Sequence, residues 1–271
     1  MKPTDQVRKG ILEDNQIFFR NAETRKKICM RFLKSVSFWM SAAVLCTSSY
    51  KSIVKISGLR AISAEESKNC LQASLQDSKN AALVSEEEKT VALTFVDGPH
   101  PVYTKKLLDG LKERQVHATF FVVGKNIPGN ESLISQMKED GHLIGNHTYD
   151  HVKICDMSGS EACEQVEKTS RLVCEITGEN TEFVRPPFGA WNKNMECSFV
   201  MLPVLWDVDP LDWTTRNTDL IVQRVLEEVE DGDIVLLHDY YDSSVEAAFQ
   251  IIDELQTRGY TFVTADQMLL E

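Results

Sequence analysis

The chain has 271 residues, 42% of them hydrophobic, and a formal net charge of −12. That is enough apolar material for a sizeable core, in one large domain or two small ones. Residues 1–89 carry 15 Lys and Arg against 10 Asp and Glu, whereas residues 90–271 carry 14 against 31. So acidic a segment lacks the basic footprint that phosphate binding needs, which speaks against a nucleic-acid partner.

Residues 1–34 are polar and basic, closing on Arg25-Lys26-Lys27 and Arg31 to Lys34. Residues 35–50 then run without a charge and hold Val36, Phe38, Trp39, Met40, Val44 and Leu45. A basic flank before an apolar run reads as an export signal with its positive end kept inside. The run is short beside the ~20 apolar residues of a bilayer span. Two fates are open: cleavage near Thr47-Ser48-Ser49, or retention as a signal-anchor, which the long basic region favours. Leu45 before Cys46 argues against lipidation, because that position needs a small side chain. Residues 51–89, rich in Ser, Lys, Glu and Ala, read as a linker. The expected localisation is therefore extracytoplasmic, anchored or secreted, with the N-terminal segment as the membrane partner.

The seven Cys form no C-x-x-C pair and no zinc-knuckle spacing. Cys163 and Cys174 fall in a helical pattern and read as small core residues. An exported chain has oxidising surroundings for some of them, but spacing alone does not pair them.

From residue 90 onward short apolar runs alternate with helical patterns. Strands are predicted at Val91–Phe95, Ala118–Val123, Leu143–Asn146, Phe183–Val184, Val200–Trp206, Ile234–Leu237 and Thr261–Val263, on β-branched and aromatic content. Helices are predicted at Thr104–Gln115, Glu131–Asp140, Glu161–Thr177, Asp219–Val229 and Ser243–Thr257. Gly141 and Gly178 stand just past two of them. Strand followed by helix, repeated, means a parallel sheet covered by helices. The expected fold is α/β: a small, distorted (β/α) barrel of about seven strands.

Asp97 stands at the mouth of the first strand, where such folds place their chemistry. His147 and His151 follow the third. One carboxylate and two imidazoles make a facial set of metal ligands with positions left for water and substrate. Mixed N and O donors favour Zn, with Co, Ni or Mn as alternatives.

Thr94–Pro99 resembles the TFDDGP signature of the polysaccharide deacetylases, the NodB-homology or carbohydrate esterase 4 group. His147–His151 is similar to that family's H-[ST]-x-x-H, and Arg185–Gly189, Asp209–Trp213 and Leu236–Asp239 follow in the family's order. The resemblance implies a NodB-type barrel and metal-dependent removal of acetyl groups from N-acetylated glycans of the peptidoglycan or chitin kind. It further implies His238 as general acid, Asp212 as the carboxylate holding that imidazole, and the Phe188 N–H as oxyanion donor. Pro186 and Pro187 would restrict the Phe188 turn, while Trp213, Leu236 and Trp191 would wall the groove. Arg185 would orient the general base. That base is missing: where the family has its first Asp, this chain has Val96. Valine accepts no proton, and a positioned base is worth about 10²–10⁴ in rate. Three outcomes stay open: a weakened deacetylase, with Asp207, Asp209 or Asp239 turned toward Arg185; a metal-holding pseudoenzyme that binds acetylated glycan; or a hydrolase of another acyl or amide substrate.

Overall fold

The structure, a computed structural model, describes residues 89–191, 197 and 201–270. The expectations for residues 1–34 and 35–50, and all but the last residue of the linker, lie outside the described residues. Strands β1 (Lys89–Val96), β2 (Thr119–Val122), β3 (Leu143–Asn146), β4 (Phe183–Val184), β5 (Leu202–Pro203), β6 (Asp233–His238) and β7 (Tyr260–Phe262) form one sheet. The helices are α1 (Tyr103–Glu113), α2 (Glu131–Glu139), α3 (Gly159–Thr177), α4 (Thr218–Glu228), α5 (Asp242–Thr257) and α6 (Ala265–Leu270). The sheet order is β5-β4-β3-β2-β1-β6, with β7 also on β1, and every pairing is parallel. A parallel bridge from Val208 to Val235 ties the chain beyond β5 to β6. The sheet is thus curled into a half-barrel, the form expected of the seven-strand pattern.

Alternation along β1 divides the interior. Val91, Leu93 and Phe95 face the helices and pack among Leu107, Leu108, Leu111, Ile251 and Leu255. Ala92 and Val96 face the other way, into a second cluster with Phe121, Phe183, Val204, Ile234 and Leu236. Each such side chain, fully buried, contributes about 1.5–3 kcal/mol. Local signals agree with this packing at α3, which starts at a Ser158–Glu161 capping box. It ends at Gly178, whose φ of 77° favours a residue without Cβ.

Three expectations are corrected. The fifth strand spans only Leu202–Pro203 among the described residues, not 200–206. Leu202 and Val204 donate to the Glu182 and Val184 carbonyls, but the chain then leaves β4, and the Asp207 and Val208 N–H groups donate to the Ile234 carbonyl of β6 instead, so the ladder stays short. Helix α6 had no counterpart in the periodicity. Cys163 is not a small core residue: it is half-buried and disulfide-bonded to Cys197. No helix among the described residues is long and apolar enough to cross a membrane.

Candidate functional site

Parallel register brings the ends of β1, β6 and β2 side by side, with Val96 opposite both His238 and Phe121. Asn146 at the end of β3 pairs Val122 and Val184. Residues just past these strands therefore share one rim, and Asp97, His147, Arg185 and His238 all lie there.

The i, i+4 spacing of His147 and His151 is not helical. Thr148 and His151 take φ of 66° and 58°, and this left-handed backbone folds both rings toward Asp97. Asn146 Oδ1 accepts the Thr148 N–H at 2.8 Å, which helps hold the turn. Asp97 itself has φ 74°, and its carbonyl accepts from Asn126 Nδ2 at 2.8 Å. Non-glycine residues in this region cost roughly 1–3 kcal/mol each, and they cluster at sites the rest of the fold over-determines.

His147 Nε2 lies 3.5 Å and His151 Nε2 3.2 Å from Asp97 Oδ1, and one donor atom from each residue falls within 4.8 Å of the others. His147 Nδ1 lies 2.6 Å from the Arg185 carbonyl. A carbonyl only accepts, so Nδ1 carries the proton and Nε2 keeps its lone pair for a ligand role. Burial lowers the pKa of His147 well below its ordinary value, helped by the neighbouring His151. Burial also lowers His151, against the pull of Asp97. Both shifts favour the neutral ring. Asp97 Oδ1 is buried with no hydrogen-bond partner among the described residues. An orphaned carboxylate oxygen facing two neutral imidazole nitrogens fits a divalent cation, and the Asp97, His147 and His151 group is able to hold one.

His238 presents Nε2 to the same centre, 3.9 Å from Asp97 Oδ2. Its Nδ1 is 2.7 Å from Oδ1 of Asp212, a fully buried carboxylate. Burial opposes the charged ring, but the hydrogen bond and charge of Asp212 outweigh it, and the pKa of His238 is raised. Phe188 sits in the Pro187–Gly189 turn at φ 61°, its ring 64% exposed and edge-on to His151 at 5.0 Å. No acceptor among the described residues takes its N–H. Pro187 and Leu236 are buried and Trp213 is exposed at the rim.

Val96 is only 4% exposed. Behind it Arg185 is fully buried, with its guanidinium donating to the Val204 carbonyl at 3.1 Å, the Leu205 carbonyl at 2.7 Å and Thr94 Oγ1. It lies 4.3 Å from the Phe121 ring centre and 5.6 Å from that of Trp206. No carboxylate among the described residues is within ion-pair distance. Burial pulls its pKa down to about 9, although Asp207 and Asp209 act to raise it. Asp239 has not turned toward it. That carboxylate accepts from Thr104 Oγ1, and burial raises its pKa to about 7.

Sequence reasoning missed Asn126, Thr104, Trp206 and the aromatic group of His100, Tyr103, Tyr240 and Tyr241. The Asn126–Asp97, Thr104–Asp239 and His100–Tyr240 contacts join segments far apart in the chain, and only Trp206, close to the Asp209 motif, carried a local hint.

A curled parallel sheet with a carboxylate–imidazole group at its strand ends defines an α/β half-barrel with a candidate metal site on its rim. The polysaccharide deacetylase profile matches residues 84–199. Peptidoglycan-N-acetylmuramic acid deacetylase PdaC of Bacillus subtilis is 40% identical over 185 residues, which is 68% of this chain and 40% of that protein. Its solved structure aligns with TM-score 0.65 at 39% identity, covering 68% of this chain and 92% of that one. A peptidoglycan-N-acetylglucosamine deacetylase of Bacillus cereus is 34% identical, the match covering 69% of this chain and 91% of that protein. A CE4 family pseudoenzyme of Bacillus anthracis is 29% identical with TM-score 0.63, the alignment covering 68% of this chain and 66% of that one. The chain belongs to the polysaccharide deacetylase family. It spans about two fifths of the length of PdaC.

Proposed function

We propose that this chain is a metal-dependent N-deacetylase of peptidoglycan-type glycans whose turnover is impaired by Val96. The observation that carries this reading is the grouping of Asp97, His147 and His151 beside an Asp212-held His238 on one rim. Asp97, His147 and His151 would hold the ion. When bound, it supplies a Lewis acid for the acetyl carbonyl, and the mixed donors suit Zn best, ahead of Co, Ni or Mn.

The chain's own groups do the rest. Water adds to the acetyl carbon, forming the new C–O bond and losing its proton to solvent, because Val96 offers no acceptor. His238, whose protonated form Asp212 favours, delivers a proton from Nε2 to the amine nitrogen as the C–N bond breaks, releasing acetate and the free amine. The Phe188 N–H donates a hydrogen bond to the carbonyl oxygen as negative charge develops on it. Leu236, Trp213 and Pro187 exclude water from the groove. At Val96 there is no proton acceptor, and the cost is about 10²–10⁴ in rate.

The second reading is a glycan-binding pseudoenzyme. It is favoured by the packing of Val96 into a closed apolar cluster, and by the similarity to the CE4 family pseudoenzyme of Bacillus anthracis. Acetate release from an N-acetylated glycan oligomer by the full-length, Zn-loaded chain separates the two, run beside Val96→Asp and a chelator-treated control. Slow, metal-dependent release by the parent supports the enzyme. A silent parent with an active variant supports the binder. Release that survives chelation overturns the metal site.

The Cys163–Cys197 disulfide supports an extracytoplasmic setting, in line with the export signal proposed for residues 35–50. Membrane attachment is tested by fractionation of cells producing the full chain.

A further inference from the structure

Asp97 follows β1, whereas His147 and His151 follow β3, so the proposed ligands sit on two separate loops. Strand β2 lies between β1 and β3 in the sheet, and residues 122–126 at its end meet both loops. On one side the Val123 N–H donates to the Gly98 carbonyl at 2.8 Å, and Asn126 Nδ2 donates to the Asp97 carbonyl at 2.8 Å. On the other, the Val122 carbonyl accepts the His147 N–H at 2.9 Å. The Gly124 and Lys125 N–H groups donate to the Thr148 and Tyr149 carbonyls, each at 2.9 Å. Lys125 Nζ adds an exposed bond of 3.1 Å to the Asp150 carbonyl.

The tie to the Asp97 carbonyl is made by a side chain, and it falls on a residue at φ 74°. That backbone angle sets where the carboxylate points, and such a conformation persists only where its surroundings hold it. The segment is itself held from behind. Val123 and Ile127 are buried on either side of it. Asn130, the N-cap of α2, is of a residue type that usually caps its own helix by accepting an N–H. Here it makes no such bond, and its Nδ2 donates instead to the Asn126 carbonyl at 2.9 Å.

We infer that Asn126 is a positioning residue for the metal site, and that residues 122–126 form a bracket setting the gap between Asp97 and the two imidazoles. The inference rests on the metal reading above and extends it to residues outside the ligand set. The His147 side of the bracket is built from backbone groups and survives substitution. The Asp97 side depends in part on one amide, so its removal frees the carboxylate loop while the imidazole loop stays in place. An ion then meets the same three donors at a relaxed spacing, with weaker binding and altered coordination geometry.

The test uses the full-length chain and two readouts: Zn affinity by competition with a chromogenic chelator, and the visible spectrum at saturating Co. Asn126→Ala should weaken Zn binding about 10–100-fold. It should also change the position and intensity of the Co bands, which report coordination geometry rather than stability. Asn126→Leu keeps the side chain's shape without its donor and should behave like the alanine variant. Ile252→Val, which loosens the core within α5, should keep the parent's Zn affinity and Co spectrum. Parent-like affinity and spectrum in both Asn126 variants overturns the inference alone. So does an Ile252→Val variant weakened as much as they are, because the effect then follows stability. Failure of the parent to bind Zn, or binding that His151→Ala leaves unchanged, overturns the metal reading and this inference with it.

Discussion

His238 Nδ1 lies 2.7 Å from Asp212 Oδ1, and Oδ2 of the same carboxylate accepts the His238 backbone N–H at 2.8 Å. One buried carboxylate thus fixes both the ring and the strand end that bears it. Folding raises the pKa of this ring, so protonation favours the folded state. The increment is whole below the unfolded value near 6.5 and is lost as pH rises through the raised folded value. In metal-free protein, Asp212→Asn should lower the His238 pKa, followed by NMR titration of the ring. It should also cost about 1–3 kcal/mol in denaturant unfolding near pH 6. That cost should shrink by about pH 8.5.

Val96 fills an apolar cluster, and an Asp there must be buried beside it. Val96→Asp should destabilise the fold by about 1–3 kcal/mol. The same variant should raise acetate release by about 10²–10⁴ if Arg185 reorients toward the new carboxylate. Chemical denaturation and the acetate assay read the two effects separately. Lower stability without activity would leave Arg185 bound to its neutral oxygens.

Gly98 follows the proposed ligand Asp97, and a Cβ on it would overlap the Asp239 carboxylate. That carboxylate is buried and bonded to Thr104, so it has little room to withdraw. Gly98→Ala should cost about 1–3 kcal/mol of stability through overpacking. By shifting Asp97 it should weaken Zn binding about 10–100-fold, measured by competition with a chromogenic chelator.

Zn should raise the melting temperature of the parent, and at 100 times its dissociation constant it adds about 2.7 kcal/mol. His151→Ala should abolish that rise with little change in the metal-free melting point, because the ring is only partly buried. An unchanged response to Zn would place the ion elsewhere.

The Cys163–Cys197 bridge closes a loop of 34 residues between α3 and the segment after the Pro187–Gly189 turn. Replacing both by Ser should cost about 2–4 kcal/mol, mainly by freeing the unfolded chain. Thermal unfolding with and without reductant checks this, and the double variant should be insensitive to reductant.

What the sequence by itself determined is the set of local patterns. β-Branched runs alternating with amphipathic helices specified the parallel α/β sheet, because strand and helix periods are set by nearest neighbours. Asp97, His147, His151, Asp212 and His238 were legible for a related reason: each sits in a short motif at a strand end. Tertiary structure decided the rest. Whether Arg185 finds a carboxylate depends on β1, β4 and β5 meeting around one interior, where Thr94, Val204 and Leu205 supply neutral oxygens instead. The pairing of Cys163 with Cys197 and the stack of Arg216 on Tyr241 join residues with no shared periodicity. Contacts of that kind arise from packing across the chain, and a one-dimensional pattern does not carry them.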